Sequence, residues 1–355
     1  MPGALLRLGG LLLALSGCSD RDSAAALWQD YHYRLNNSLQ IQTPSSAEPV
    51  DLTALRYPVR RDLRQRLSPL NVNLLEFLRL SPCALQRLIG ERNSSLGQLA
   101  PASQRLLYEW RFLALAHTCV EQLREAESPE SLIASLVRAI DIKTAELPRA
   151  YWNAYAASAE FQTLFSLRGG PLRPTAATQS TAHLWAALDD GLALKRALAE
   201  PADQRPALRG LEQHFQFIGA TNYAGQLSSA MAVAAAQLAV ATASLEARLA
   251  PRPLCLQSRA TPQALIVQSV FHKYYIGKVQ PYLANLHQQS RAFQGRLKRL
   301  HQTPGVEQPG VYRQWWHASW DETRPDSVWQ SFERALADHT RAWQGLLQQC
   351  GLMPG

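Results

Sequence analysis

From Gln213 to Leu245 the chain carries no Asp, Glu, Lys or Arg, and no other stretch limits its folding so severely. A run of that length needs either a bilayer or a protein interior around it. A spanning helix takes about 20 predominantly apolar residues, so length alone would permit one. Composition argues against it. Gln216, Asn222, Gln226, Ser228, Ser229 and Gln237 interrupt the run, and Ala rather than Leu dominates it. Amides and hydroxyls without partners are costly in hydrocarbon. The run is therefore expected to be a central helix of a bundle, its small Ala and Gly residues letting neighbours approach closely.

The remainder is consistent with such a bundle. Leu, Ala, Gln and Arg are good helix formers, and alternating apolar–polar runs are few. Residues 24–42 place Leu27, Tyr31, Leu35 and Leu39 at helical steps. Leu106, Leu107, Trp110, Leu113, Val120 and Leu123 continue the pattern in a second helix from Ser103. Ser128-Pro129-Glu130 reads as a helix start with a capping hydroxyl, and another helix is expected over about 149–166. Thr261-Pro262 starts the longest pattern, which Pro281 should kink. The last helix runs from about Asp326 to Cys350-Gly351. The predicted fold is all-α, an irregular multi-helix bundle. Residues 24–355 form one helical domain, and the Gly- and Pro-rich break near 168–178 is where it would divide into two lobes.

Two features indicate export. Arg7 precedes a short apolar core, Leu8 to Leu15, in the pattern of a secretory signal over residues 1–17. Leu15-Ser16-Gly17-Cys18 resembles the lipobox of bacterial lipoproteins, which implies lipidation of Cys18 and a tether over residues 18–23. Several acyl chains give a stable hold where one gives a marginal hold. Ser19, rather than Asp, after the cysteine favours the outer membrane over the inner. The other four cysteines, Cys83, Cys119, Cys255 and Cys350, suit two disulfides in an oxidising compartment. Of three connectivities, Cys83–Cys119 with Cys255–Cys350 is favoured because each ties neighbouring helices. The chain-entropy argument makes these loops worth roughly 4 and nearly 5 kcal/mol.

The formal net charge is +8, and the loss of Arg7 with the signal leaves 8 − 1 = +7 on the body. That balance fits an envelope protein or an anionic polymer as partner. Export removes the chain from nucleic acid.

Three constellations are candidates for chemistry. Glu91, Arg92, Asn93, Ser94 and Ser95 form a polar loop between helices, and Asn93 and the serines suit helix caps. Trp315, Trp316, His317 and Trp320 offer an aromatic surface for stacking on sugar rings, with His317 four residues before Asp321. Phe271-His272-Lys273-Tyr274-Tyr275 with Lys278 mixes inward aromatics with outward charge. No nucleophile elbow, zinc-protease motif or phosphate-cradling loop accompanies them, so no catalytic residue, metal ligand or cofactor is assigned.

The runs Cys83-Ala-Leu-Gln-Arg-Leu-Ile-Gly-Glu-Arg-Asn-Ser-Ser-Leu-Gly97, Lys273-Tyr-Tyr-Ile-Gly-Lys-Val-Gln-Pro-Tyr282 and Gln349-Cys-Gly-Leu-Met-Pro354 resemble an uncharacterised family of proteobacterial lipoproteins, domain of unknown function 3080. The resemblance covers nearly the whole mature chain and implies one co-folding unit. It carries over no catalytic residue. The expected occupation is a non-enzymatic, partner-binding or structural lipoprotein facing the periplasm. A glycan-, peptidoglycan- or lipid-binding module is the first alternative and an envelope hydrolase the second.

Overall fold

The computed structural model describes residues 22–41, 47–69, 74–175, 181–201, 208–249 and 253–353. The expected signal peptide, Cys18 and most of the tether lie outside the described residues. So does Pro206, where a helix was expected to resume. Among the described residues the regular structure is all helical, with no strand.

The charge-free run divides into α10 (Leu211–Gly219) and the long α11 (Tyr223–Leu249). Residues 211–249 are long and apolar enough to cross a membrane by composition, yet most of that apolar stretch is turned into the protein. Ala230, Met231, Ala234, Leu238, Ala241 and Leu245 are all completely buried. α15 (Val328–Gln349) packs along α11, presenting Trp329, Phe332, His339, Trp343 and Leu346. Close approach is literal at Gly225, where a Cβ would stand 2.1 Å from the Ser166 carbonyl oxygen. Any side chain there must displace backbone.

α1 (Ala24–Leu39) lies across α11 and the helix that follows residue 262. Its start is capped by Ser23, whose hydroxyl accepts from the Ala26 N–H at 3.1 Å. It stops earlier than the sequence suggests, because Gln40 turns left-handed at φ 57°.

α6 (Ala102–Glu125) and α7 (Glu130–Tyr155) form an antiparallel pair. Pro129 occupies the cap position of α7 without a side-chain cap bond, so the hydroxyl expected from Ser128 does not cap it. α7 also runs through Pro148, where a boundary was expected. The next turn is strongly held. Trp152 Nε1 donates to the Leu63 carbonyl at 2.8 Å, and Asn153 exchanges two hydrogen bonds with the Gln65 backbone. Those tertiary bonds outweigh the one donor that proline lacks.

The longest pattern is one rod: α12 (Pro262–Val270), a π-helical segment (Phe271–Val279) and α13 (Gln280–His301). The turns before Pro281 are widened: the Gln280 N–H reaches back five residues to the Tyr275 carbonyl, so the ladder is re-registered before the ring arrives.

Cys83–Cys119 ties α4 (Ala84–Asn93) to α6, and Cys255–Cys350 ties the loop before α12 to the end of α15. These are the two favoured pairings. The Arg168–Pro174 break is pinned to two helices that follow it: the Leu172 N–H donates to the Gln226 carbonyl of α11, and Tyr282 of α13 donates to the Leu172 carbonyl. One continuous hydrophobic cluster runs from Ala24 to Cys350 across this break.

Candidate functional site

Two of the three sequence candidates fold into their own scaffolding. Ser94 closes α4 and opens α5 (Ser95–Gln98): its hydroxyl donates to the Glu91 carbonyl at 2.7 Å and accepts from the Gly97 N–H at 3.1 Å. Gln98 bonds the Asn93 carbonyl, and the Arg92 guanidinium bonds the Gly97 carbonyl at 2.5 Å. Glu91 pairs with Arg87 on the surface at 3.1 Å. Glu91, Asn93, Ser94 and Ser95 are exposed and surround no cavity. Behind them, Arg105 and Lys143 clamp the buried Glu109 carboxylate at 2.6 and 2.5 Å. Burial presses the Lys143 ammonium below its usual range against the pull of Glu109.

The aromatic surface is a correction. Trp315 and Trp320 are 4 and 0% exposed, and Trp316 is half-buried against the core. Trp315 donates to the Leu55 carbonyl and meets Tyr57 edge-on at 4.8 Å. Large aromatics at helical spacing on α14 (Gly310–Ser319) have been drawn inward, since each removes a large apolar area from water. No sugar ring can stack on Trp315 or Trp320. His317 stays exposed and bonds Asp321 at 2.5 Å. Burial opposes ionisation of Asp321, but hydrogen bonds from Thr323 and His317 hold its carboxyl below the usual range. Thr323 also donates twice to the same carboxylate, so the pair serves to cap a turn.

Phe271 and Tyr275 of the third constellation are buried, while Lys278 bonds Asp30 at 2.9 Å on the surface.

A site that the sequence reading missed lies between α1 and α11. A cavity of about 790 Å³ is bounded by α1, by Val233, Gln237 and Val240 of α11, by Ala47, and by Gly169, Pro171 and Arg173 of the break. Trp28, His32 and Asn36 stand at i, i+4 and i+8 on the α1 wall. At 1.5 Å per residue they form a ladder about 12 Å long. Trp28 and Asn36 are only 2 and 6% exposed. Even so, among the described residues the Trp28 indole N–H, both His32 ring nitrogens and the Asn36 Oδ1 have no hydrogen-bond partner. Burial pushes the His32 imidazole below its ordinary value, holding it neutral; the Gln237 side chain approaches without completing a hydrogen bond.

Unsatisfied buried polar groups are uncommon, and each costs about 1–3 kcal/mol. Here three side chains on successive turns of one helix carry such atoms, each closed off from water. The signal was present in the sequence as a second stripe of Trp28, His32 and Asn36 one residue round from the apolar stripe. It went unread because polar residues beside an apolar face ordinarily mark the solvent side.

Among the described residues no three His, Cys, Asp or Glu side chains are placed to hold a metal ion. Fold and site together define a disulfide-stapled, all-α bundle with a polar-edged cavity beneath its first helix, Arg173 among its lining residues. The chain matches the family model described as Protein of unknown function (DUF3080) over residues 28–354, and it belongs to that family. No curated protein and no solved structure matches it.

Proposed function

We propose that this is a lipid-anchored protein of the bacterial cell envelope, held at the periplasmic face of the outer membrane through Cys18, whose work is non-enzymatic binding of a partner. The single observation that carries this reading is the agreement between the two ends of the export argument. Leu15-Ser16-Gly17-Cys18 supplies the anchor pattern, and the four remaining cysteines are all paired, as suits an oxidising compartment.

The test is fractionation of cells carrying the full chain or its Cys18→Ala variant. The reading expects the native chain in the outer-membrane fraction and the variant released from membranes. Continued membrane association of the variant contradicts Cys18 as the tether.

The cavity of about 790 Å³ beside α1 favours the binding-module form of this reading over a purely structural one, because it lies within the size range of small-molecule sites. It also moves the binding surface from the Trp315–Trp320 region to α1. Nothing in the cavity assembles a nucleophile with a base and an orienting partner, so its residues support recognition rather than hydrolysis.

A further inference from the structure

We propose that the outer face shared by α1 and the π-helical segment binds a phosphate group, held by Arg34, Lys278 and Lys273 beside the Tyr274 ring. The proposal goes beyond the anchor reading and does not depend on Cys18.

The first argument is a two-cation clip. Lys278 Nζ donates to Asp30 Oδ2 at 2.9 Å and Arg34 Nε donates to Oδ1 at 3.3 Å, so one carboxylate holds two cations side by side. The Tyr274 ring underlies both, its centroid 5.0 Å from Lys278 Nζ and 5.2 Å from the Arg34 guanidinium carbon. Tyr33 flanks the same guanidinium at 5.5 Å. Such contacts hold long cationic side chains in place. Burial opposes ionisation of Asp30, but Lys278 and Arg34 hold its carboxyl below the usual range. One negative charge therefore faces two positive ones. Each cation spends one donor on Asp30, which leaves the rest of the Arg34 fork and of the Lys278 ammonium for an acceptor with several oxygens.

The second argument is the register of the π segment. In an α-helix, residues five apart lie about 140° round from one another, at about 100° per residue. The widened ladder of Phe271–Val279, bonded five residues back, stacks them instead. Lys273 and Lys278 are five apart, so the widening puts both on one side of the rod. Lys273 is exposed and makes no ion pair among the described residues. A π segment within an α-helical rod is frequently a functional site; here it adds a third cation to the clip.

The third argument is the absence of neutralising charge. From Ala247 to Val306 the sequence holds no Asp or Glu, so the rod itself supplies no acid. Farther along α13, Arg296 and Lys298 are met by Asp189 and Glu322 from other elements. At the π segment, among the described residues, only Asp30 answers. A carboxylate ligand would repeat what Asp30 already does with its two oxygens. A phosphate monoester brings three acceptor oxygens and a larger charge, enough to meet Arg34, Lys278 and Lys273 together.

The experiment is isothermal titration of the native chain in dodecyl maltoside against inorganic phosphate and, separately, dihexanoyl phosphatidic acid, with acetate as the carboxylate probe. The proposal expects saturable binding of a phosphate probe and none of acetate. Binding of both phosphate probes assigns the phosphate group alone as the ligand; binding of the lipid alone assigns a phospholipid headgroup. Lys278→Ala, Arg34→Gln and Lys273→Gln should each weaken binding about fivefold or more. All three side chains are exposed, so the variants should fold. Asp30→Asn should tighten binding, because the competing carboxylate is gone. Lys298→Ala, which removes a similarly exposed cation from its pair with Glu322, should leave binding unchanged. Binding of neither phosphate probe overturns the proposal, as does acetate binding as tight as phosphate. Binding that Lys278→Ala and Arg34→Gln leave intact, or that Lys298→Ala weakens equally, overturns it too.

Discussion

Tyr31 and His32 are neighbours on α1, and they meet opposite fates. Tyr31 points into a completed network. Its hydroxyl lies 2.7 Å from His339 Nε2 and accepts from Trp343 Nε1 at 3.0 Å, while His339 Nδ1 lies 2.9 Å from Thr242. The consistent tautomer has His339 accepting from Tyr31 and donating to Thr242. A second buried imidazole is equally well served: His301 Nε2 lies 2.6 Å from the Tyr155 carbonyl and Nδ1 lies 2.6 Å from the Tyr312 hydroxyl. One step round the helix, His32 has no hydrogen bond, and its neighbours Trp28 and Asn36 each leave a polar atom unpaired. The same fold that satisfies two deep histidines leaves a shallower one open, beside a cavity. The difference separates groups that hold the protein together from groups buried without a partner.

The largest effect expected of this comparison is on acid stability. Burial pushes His301 and His339 down to about 3. In the unfolded chain both would titrate near 6.5. Their neutral forms therefore contribute stability that is fully present above pH about 6.5 and is lost as pH falls toward about 3. With both groups unprotonated in the fold, the slope approaches about 2.7 kcal/mol per pH unit. Chemical denaturation between pH 7 and 4 measures it, and a flat profile would mean that the two networks do not exclude protons.

Next in size, His339→Leu should cost about 3 kcal/mol, because it strands the Tyr31 hydroxyl proton and Thr242 inside the core. Denaturant melts of the variant check this, and a loss below about 1 kcal/mol would erase the contrast with the cavity face. On that face the sign reverses. Asn36→Leu should raise stability by about 1 kcal/mol, since a buried oxygen without a partner is replaced by carbon. The same melts show whether the gain appears, and a marked loss would mean Asn36 is bonded after all. The smallest effect belongs to the outside of α1. Lys278→Ala removes the exposed pair with Asp30 and should shift stability by less than about 1 kcal/mol, and less still in high salt.

Much of the architecture was legible in the sequence because it rests on periodicity and covalent chemistry. The charge-free run gave a buried central helix, and four cysteines, read together with the signal-like pattern before Cys18, gave two staples. The helix boundary expected at about residue 149 misled, since sequence does not show the tertiary bonds of Trp152 and Asn153 that carry α7 through Pro148. The site was harder. Trp315 and Trp320 attracted attention as large aromatics, yet their size is what drives them into the core. Trp28, His32 and Asn36 passed unread because their unpaired atoms become visible only once α11 and the Gly169–Arg173 turn close over them. A helix wheel shows which residues share a face; it does not show that the face has been buried without partners.

The central claim is that the Tyr31 face of α1 is a completed network whereas the Trp28–Asn36 face is buried without partners. NMR of the two indole N–H groups, Trp28 and Trp343, tests it most directly. The account predicts a Trp28 N–H resonance at a position typical of an unbonded indole and a Trp343 resonance that reports a hydrogen bond. A Trp28 resonance that reports a hydrogen bond as strong as that of Trp343 would contradict it.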